Sequence, residues 1–368
     1  MSSVRRGFDW HLLPKLRNIF PMSETPPPAP SATPHKRRPR YAGKNPRRFE
    51  DKYKEHVGDA TTIAKVIASG KTPVGTHRPI MVAEIMQVLA PKPGDIAVDC
   101  TLGYGGHAHE MLQKILPDGK LLGLDQDPVQ LPKTAARLRE LGFDENVFTA
   151  HRSNFAGLPQ ILAAQNLPGA DVVLADLGVS SMQIDDPARG FSVKHNGPLD
   201  MRMNPQRGQS AADFLQKIKP DALEKILVEN SDEPHAARLS PALAGKTFAT
   251  TLQLASAIRT VLPTGKNDES DLTVRRVFQA LRIAVNDEFS ALETLLRNMP
   301  GCLKPDGRVA ILTFHSGEDR RVKKSFETGL SAGTYSDISH EVLRPAPEEL
   351  RANPRAASAK LRWARRAA

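Results

Sequence analysis

Ile96-Ala97-Val98-Asp99-Cys100-Thr101-Leu102-Gly103-Tyr104-Gly105-Gly106-His107 is the stretch on which the fold turns. A short apolar run breaks into three glycines and then into apolar positions at helical spacing, Ala108, Met111, Leu112 and Ile115. An apolar run without alternation suits a strand covered on both faces, and glycine lets the backbone bend sharply where that strand becomes a helix. The free N–H groups at such a helix start face whatever binds at the strand's carboxyl end. The unit repeats outward: Lys120 to Leu124 ends in Asp125-Gln126-Asp127-Pro128, and a helix carrying Leu138 and Leu141 follows. Val147 to Ala150 and Asp171 to Ala175 read as a third and a fourth strand, and Arg308 to Phe314 as a fifth. This alternation predicts a Rossmann-like, doubly wound α/β sheet.

Roughly 130 residues separate the fourth strand from the fifth, far more than a crossover needs. Helical spacing over Ala211 to Val228, Thr251 to Val261 and Val274 to Met299 predicts an inserted helical domain over 187–299, whose last helix could also flank the sheet. The sheet domain then comprises 71–186 and 300–343. The ends differ in composition. Residues 1–48 hold nine of the 30 prolines and carry 11 Lys/Arg against Asp9 and Glu24, while 344–368 carry seven against Glu348 and Glu349. The net charge of +10 therefore resides in the ends, the segment 49–343 being net −4. We expect 1–70 to be a disordered basic, proline-rich extension and 344–368 a basic tail, because such segments bury too little apolar surface to offset their ordering entropy. Ends of this kind point to a polyanion such as RNA, with plain solvation as the bland alternative.

No run approaches the roughly 20 apolar residues of a spanning helix, which excludes a helical membrane protein. Cys100 and Cys302 are too few for a disulfide framework or a thiolate zinc site and are expected to be buried and reduced. Val4 to Phe20 has something of an organellar presequence, but Asp9, Pro14 and the lack of a clear cleavage pattern favour a cytoplasmic protein.

Asp125, 22 residues after Gly103, is positioned to accept hydrogen bonds from a ribose diol. Gly103-x-Gly105-x-x-Ala108 also satisfies a dinucleotide fingerprint, so a nicotinamide dehydrogenase and an S-adenosylmethionine enzyme stand level on this motif, with a purely structural turn behind them. The fourth strand ends in Asp176-Leu177-Gly178-Val179-Ser180-Ser181-Met182-Gln183, followed by Arg189-Gly190-Phe191-Ser192 and Gly197-Pro198-Leu199-Asp200-Met201-Arg202-Met203. So many charged and small residues make a poor core and a plausible reaction centre. His107 and His109 point to different sides of their helix without convergent ligands, and no metal is expected.

At these blocks the chain resembles the RsmH (MraW) family, bacterial methyltransferases that N4-methylate a cytidine in the decoding centre of 16S ribosomal RNA. The resemblance runs from His77-Arg78-Pro79 through the blocks above and Gly208-Gln209-Ser210-Ala211. It continues through Phe278 to Glu288 and Phe314-His315-Ser316 to Asn353-Pro354-Arg355 and Ser358 to Arg362, in order. It implies S-adenosylmethionine as methyl donor and the 16S RNA of the small ribosomal subunit as partner. Donor contacts implied by it fall on Gly105, Gly106, His107, Asp125, Phe155, Asp176 and Gln183, with the Phe155 ring available to cover an adenine. Asp176 ranks first for the reaction centre; Asp200 and His315 are further candidates for contact with the target base. Their bland readings are a pair of Asp200 with Arg202 or Arg189, and a backbone cap at a strand end for His315. A homodimer is left open, as is a catalytically silent RNA-binding assembly protein. The chain departs from the family at Leu272-Thr273-Val274 and Arg275, at Asn230 to Pro234, and at Gly317, where a leucine is usual. Departures in the inserted region put RNA docking in question more than donor binding.

Overall fold

The computed structural model describes residues 79–262 and 267–368, so the extension 1–70 lies outside the described residues. Seven strands form one sheet: β1 (Ile96–Asp99), β2 (Lys120–Asp125), β3 (Phe148–Arg152), β4 (Ala170–Asp176), β5 (Leu303–Thr313), β6 (Tyr335–Ile338) and β7 (Lys360–Arg366), in the order β3-β2-β1-β4-β5-β7-β6. The first five are parallel; β7 runs antiparallel to both β5 and β6. The chain winds outward from β1 to β3 and then returns to place β4 on the other side of β1, so the direction of winding reverses between β1 and β4. Ligands of such sheets bind at that switch, beyond the strands' carboxyl ends.

Helices α1 (Val82–Leu89), α2 (Gly106–Ile115), α3 (Gln130–Glu140), α4 (Leu158–Ala164) and the short α5 (Ser181–Asp185) accompany the first four strands. Successive strand residues serve opposite faces. Ala97, Leu121, Val172, Leu174 and Ala310 pack with α1, α2 and α3, whereas Val98, Leu122, Val173 and Ile311 pack on the other side. Both faces are covered, which is why these strands read as unbroken apolar runs.

The inserted region holds α6 (Ala211–Lys217), α7 (Pro220–Ser231), α8 (Ala236–Leu243), α9 (Thr251–Val261) and α10 (Asn267–Asn286). Its apolar core is its own, built from Leu215, Leu227, Leu239, Leu254, Val277 and Leu281 with Leu199 and Met201. Capping boxes start two of its helices, Ser210 with Asp213 and Thr250 with Gln253, each satisfying backbone donors at both ends of the first turn. The next helix, α11 (Glu288–Cys302), instead packs Leu292, Leu295, Leu296 and Met299 into the core under the sheet. It belongs to the sheet's flank, and the break falls at Asp287, whose φ of 50° ends α10. Helical periodicity runs across this point unbroken, because a single left-handed Asp interrupts the backbone without interrupting the apolar spacing.

Two further helices, α12 (Ser316–Ser331) and α13 (Pro347–Ala352), complete the α-helices of the described residues. The structure corrects the reading of 344–368 as a tail: β7 lies inside the sheet between β5 and β6. Leu361 and Trp363 face one core and Ala364 the other, an alternation hidden among basic residues. Those bases are neutralised locally. Asp319 accepts from Arg362 Nε at 2.6 Å and lies 3.5 Å from Lys360 Nζ, and Asp306 accepts from Arg365 at 2.7 Å. Among the described residues no helix is long and apolar enough to cross a membrane, and both cysteines are free and buried.

Candidate functional site

A cleft of about 460 Å³ opens over the carboxyl ends of β1, β2 and β4, within the ordinary size range of small-molecule sites. Its wall is formed by the Thr101–Tyr104 turn, Gly106, His107, Asp125, Phe155, the segment Asp176–Ile184, and Arg282, Glu288 and Glu318. The glycine turn is shaped by its own chemistry. Gly105 holds a φ of 71° as it caps α2, and a Cβ on Gly106 would sit 2.4 Å from the Pro79 ring. Only glycine satisfies both positions without moving neighbours.

Asp125 fastens this turn: one carboxylate oxygen accepts from Gly103 N at 2.9 Å and the other from Asp127 N at 2.8 Å. Burial pushes its carboxyl up to about 6, opposed by these same backbone donors. Asp127, fully buried, is a hub that sequence reasoning missed. It accepts from Val129 N, from Gln183 Nε2 at 2.9 Å and from Arg189 Nη1 at 2.7 Å. Arg189 in turn donates to the carbonyls of Arg202 and Met203, so one carboxylate ties β2 to the loop leading into the inserted helices. Asp127→Ala is expected to destabilise the fold by about 3–5 kcal/mol, since it leaves a buried guanidinium unpaired; urea melts measure it.

On the far side of the switch point, Asp176 ends β4 with its side chain 28% exposed, enough to be reached from the cleft. Its backbone N–H donates to Thr101 Oγ1 at 2.6 Å, which fixes the strand end against β1. Burial, and secondarily the Glu318 carboxylate, push the Asp176 carboxyl up to about 7. His107 Nδ1 lies 3.7 Å from Asp176, while its Nε2 lies 2.9 Å from the Ile80 carbonyl, an acceptor that assigns the ring proton to Nε2. At the end of β1, Asp99 is fully buried and its carboxyl is pushed up to about 6 by desolvation, with His107 working against that. Glu288 receives Arg282 bidentately, at 2.8 and 2.9 Å, and both side chains line the cleft. This buried pair spans the α10–α11 break.

The structure places Gly106, His107, Asp125, Phe155, Asp176 and Gln183 together on the wall of one cleft, with Gly105 one residue behind it. The Gln183 amide is engaged at both ends, accepting from Ser180 N and donating to Asp127, so it shapes the β4 loop. Asp200 and His315 lie outside the lining residues. Asp200 is held by Arg202 through two side-chain hydrogen bonds of 2.8 and 2.7 Å, and His315 caps α12 by accepting from Glu318 N. Sequence reading missed Arg282, Glu288 and Glu318 as site residues, although the block Phe278 to Glu288 was quoted; they stand far apart from the glycine turn in the chain, and nothing local marks them. Among the described residues no group of three His, Cys, Asp or Glu could hold a metal ion.

The departures from the family pattern have structural partners. Thr273 Oγ1 donates to Glu233 at 3.4 Å, so two of the departing segments meet each other. Asp232 accepts from Ser316 and Arg320 and so joins the inserted helices to α12. A Cβ on Gly317 would lie 2.7 Å from the Phe289 ring, over which Arg321 stacks at 3.6 Å, so the space a leucine would need is already filled.

A family model described as the MraW methylase family matches residues 75–367. "Ribosomal RNA small subunit methyltransferase H 1" of Lachnoclostridium phytofermentans is 49% identical over 341 residues, covering 90% of this chain and 93% of its own. The protein of the same name from Agathobacter rectalis is 48% identical over 344 residues, covering 90% and 98%. "Ribosomal RNA small subunit methyltransferase H" of Syntrophotalea carbinolica is 39% identical over 309 residues, covering 79% and 98%. The first two matches cover more of this chain than the family model does, so part of the segment ahead of residue 75 is shared with them. With the glycine turn, the β4 acid and the inserted helices all falling inside the matched span, this chain belongs to the MraW methylase family.

Proposed function

We propose that this protein transfers a methyl group from S-adenosylmethionine to the exocyclic N4 of a cytidine in the decoding-centre RNA of the small ribosomal subunit. The observation that carries the reading is Asp176, a cleft-facing carboxyl pushed up to about 7, standing across the switch point from the Gly103–Gly106 turn and Asp125. The names of the relatives support a ribosomal RNA acceptor, and a cytoplasmic location goes with it.

The residues fit the donor. Asp125 offers carboxylate oxygens at the end of β2 for a ribose diol, the α2 N-terminus and the glycine backbone suit close approach, and the half-buried Phe155 ring can cover an adenine. The donor supplies an electrophilic methyl on a sulfonium centre. Cytosine N4 is a weak nucleophile because its lone pair is conjugated with the ring, and Asp176 can hold it by accepting an N–H and aligning it for in-line attack. Once bound, the donor would keep the S–C electron pair on its sulfur as the methyl goes to nitrogen. The proton shed by the nitrogen passes to the Asp176 carboxylate, leaving a neutral thioether and N4-methylcytidine. Since the target base lies in folded RNA, it must be presented or extruded into the cleft, of which α10 forms one wall.

Transfer of labelled methyl from S-adenosylmethionine to unmodified small subunits tests the reading: label recovered in RNA supports it, and label recovered only in protein or absent refutes it. Because Lys360, Arg362 and Arg365 of β7 are paired with Asp319 and Asp306, leaving Arg366 on a backbone carbonyl, the N-terminal segment is taken as the principal source of unspecific phosphate attraction. Removing residues 1–48 is expected to make the salt dependence of RNA binding shallower, by about 2 or more in the slope of log K against log salt, with donor affinity unchanged. Equal slopes for the full and shortened chains would contradict this.

A further inference from the structure

Glu318 lines the cleft, yet its side chain is only 4% exposed and it lies on α12, distant in sequence from every donor-contact candidate. Its position follows from the sheet. Asp176 pairs with Leu312 across β4 and β5, and two residues beyond Leu312 the Phe314 N–H donates to Glu318 Oε2 at 2.9 Å. The carboxylate thus sits at the strand end adjacent to that of Asp176. Its other oxygen lies 3.2 Å from His315 Nε2. His315 Nδ1 accepts from the Glu318 N–H at 3.4 Å, so Nε2 is left as an ion-pair neighbour of the carboxylate, not aligned for a hydrogen bond to it, and this buried nitrogen has no hydrogen-bond partner among the described residues. Phe289 packs against the imidazole at 5.7 Å between centroids, holding it in this orientation.

We propose that Glu318 is a positioning residue for the transfer reaction, a fixed buried negative charge set by His315 that keeps Asp176 competent to take the amine proton near neutral pH. The inference rests on Asp176 as the proton acceptor. Two like charges at neighbouring strand ends cannot both ionise freely, and the one with donors keeps its charge. Burial raises the Glu318 carboxyl, but the adjacent His315 ring, the Arg282 guanidinium and the Phe314 N–H outweigh this and hold it below the usual range. Among the described residues the Asp176 carboxyl has only His107 Nδ1, at 3.7 Å, within ion-pair distance, and it takes the upward push. The other charged groups facing this pair are His107 on α2, Asp99 on β1, and the mutually bound Arg282 and Glu288. This assigns His315 a role through Glu318 in place of contact with the target base.

The test is the pH profile of single-turnover methyl transfer at saturating donor, with donor affinity measured alongside. Glu318→Gln is expected to shift the acid limb down by about one unit, so that activity at pH 6 relative to its own plateau rises about fivefold, while the plateau falls because a weaker base is left. Glu318→Asp, which keeps the charge, retains the limb at its wild-type position. His315→Phe, which keeps a ring packed against Phe289 but offers no N–H, shifts the limb the same way as Glu318→Gln and serves if that variant does not fold. A limb unmoved in both Glu318→Gln and His315→Phe, with donor affinity retained, overturns the proposal. A wild-type profile in Asp176→Asn overturns the assignment of Asp176 itself, a different result from a different variant.

Discussion

Asp176→Asn is expected to lower methyl transfer by about 10²- to 10⁴-fold while leaving donor affinity little changed. Asn preserves the shape of the strand end and can still accept a hydrogen bond from the amine, but it cannot take the proton. In the wild-type enzyme transfer should fall on the acid side with an apparent pKa near 7, where the Asp176 carboxyl titrates. The same variant should raise stability at pH 7.5. A carboxyl whose folded-state pKa lies above its unfolded value favours folding while protonated, so its contribution is full below about 4 and is lost as pH rises through 7. Asp99 and Asp125, both pushed up to about 6, act in the same direction. The wild-type protein is therefore expected to melt at a lower temperature at pH 7.5 than at pH 6, and Asp176→Asn to recover a few degrees of that loss. Melting curves at both pH values check the sign: a variant that melts lower than wild type at pH 7.5 would show that Asp176 is a structural ion rather than an acid kept in tension for chemistry.

Asp125→Ala should have the opposite kinetic signature. It removes the acceptor of the Gly103 and Asp127 N–H groups and the candidate ribose acceptor together. Hydrogen bonds to a charged group are worth about 1.5–3 kcal/mol each, so donor affinity should fall by about 10- to 150-fold or more. Transfer at saturating donor should largely survive, because nothing at the β4 end has been altered. Calorimetric titration with the donor and a saturation curve separate the two effects. A variant that binds donor normally would remove Asp125 from the donor site.

The sheet was legible because its strands are buried on both faces and each is followed by a turn of distinctive composition; Ile96 to Gly106 and Lys120 to Asp127 show this without any long-range information. β7 was not, since its alternation of Leu361, Trp363 and Ala364 is overlaid by bases whose partners, Asp319 and Asp306, lie about 40 to 60 residues away. The boundary of the inserted helices was displaced for a related reason: the break at Asp287 changes one φ angle and leaves the periodicity intact. In the site, residues beside glycine turns and strand ends could be read from local pattern. Arg282, Glu288 and Glu318 could not, because their chemistry arises from one another across the α10–α11 break and the start of α12. His315 and Asp200 were drawn in by their position in polar blocks, and the structure commits each to a neighbour.

The proposed role of the cleft is to join a sulfonium donor to a cytosine amine through Asp176. Nucleoside analysis of small-subunit RNA, after incubation of unmodified subunits with this protein and methyl-labelled S-adenosylmethionine, tests it most directly. The expected product is N4-methylcytidine at a single position in the decoding centre, lost in Asp176→Asn; label on another base, or on carbon or ribose oxygen, would contradict the proposed chemistry.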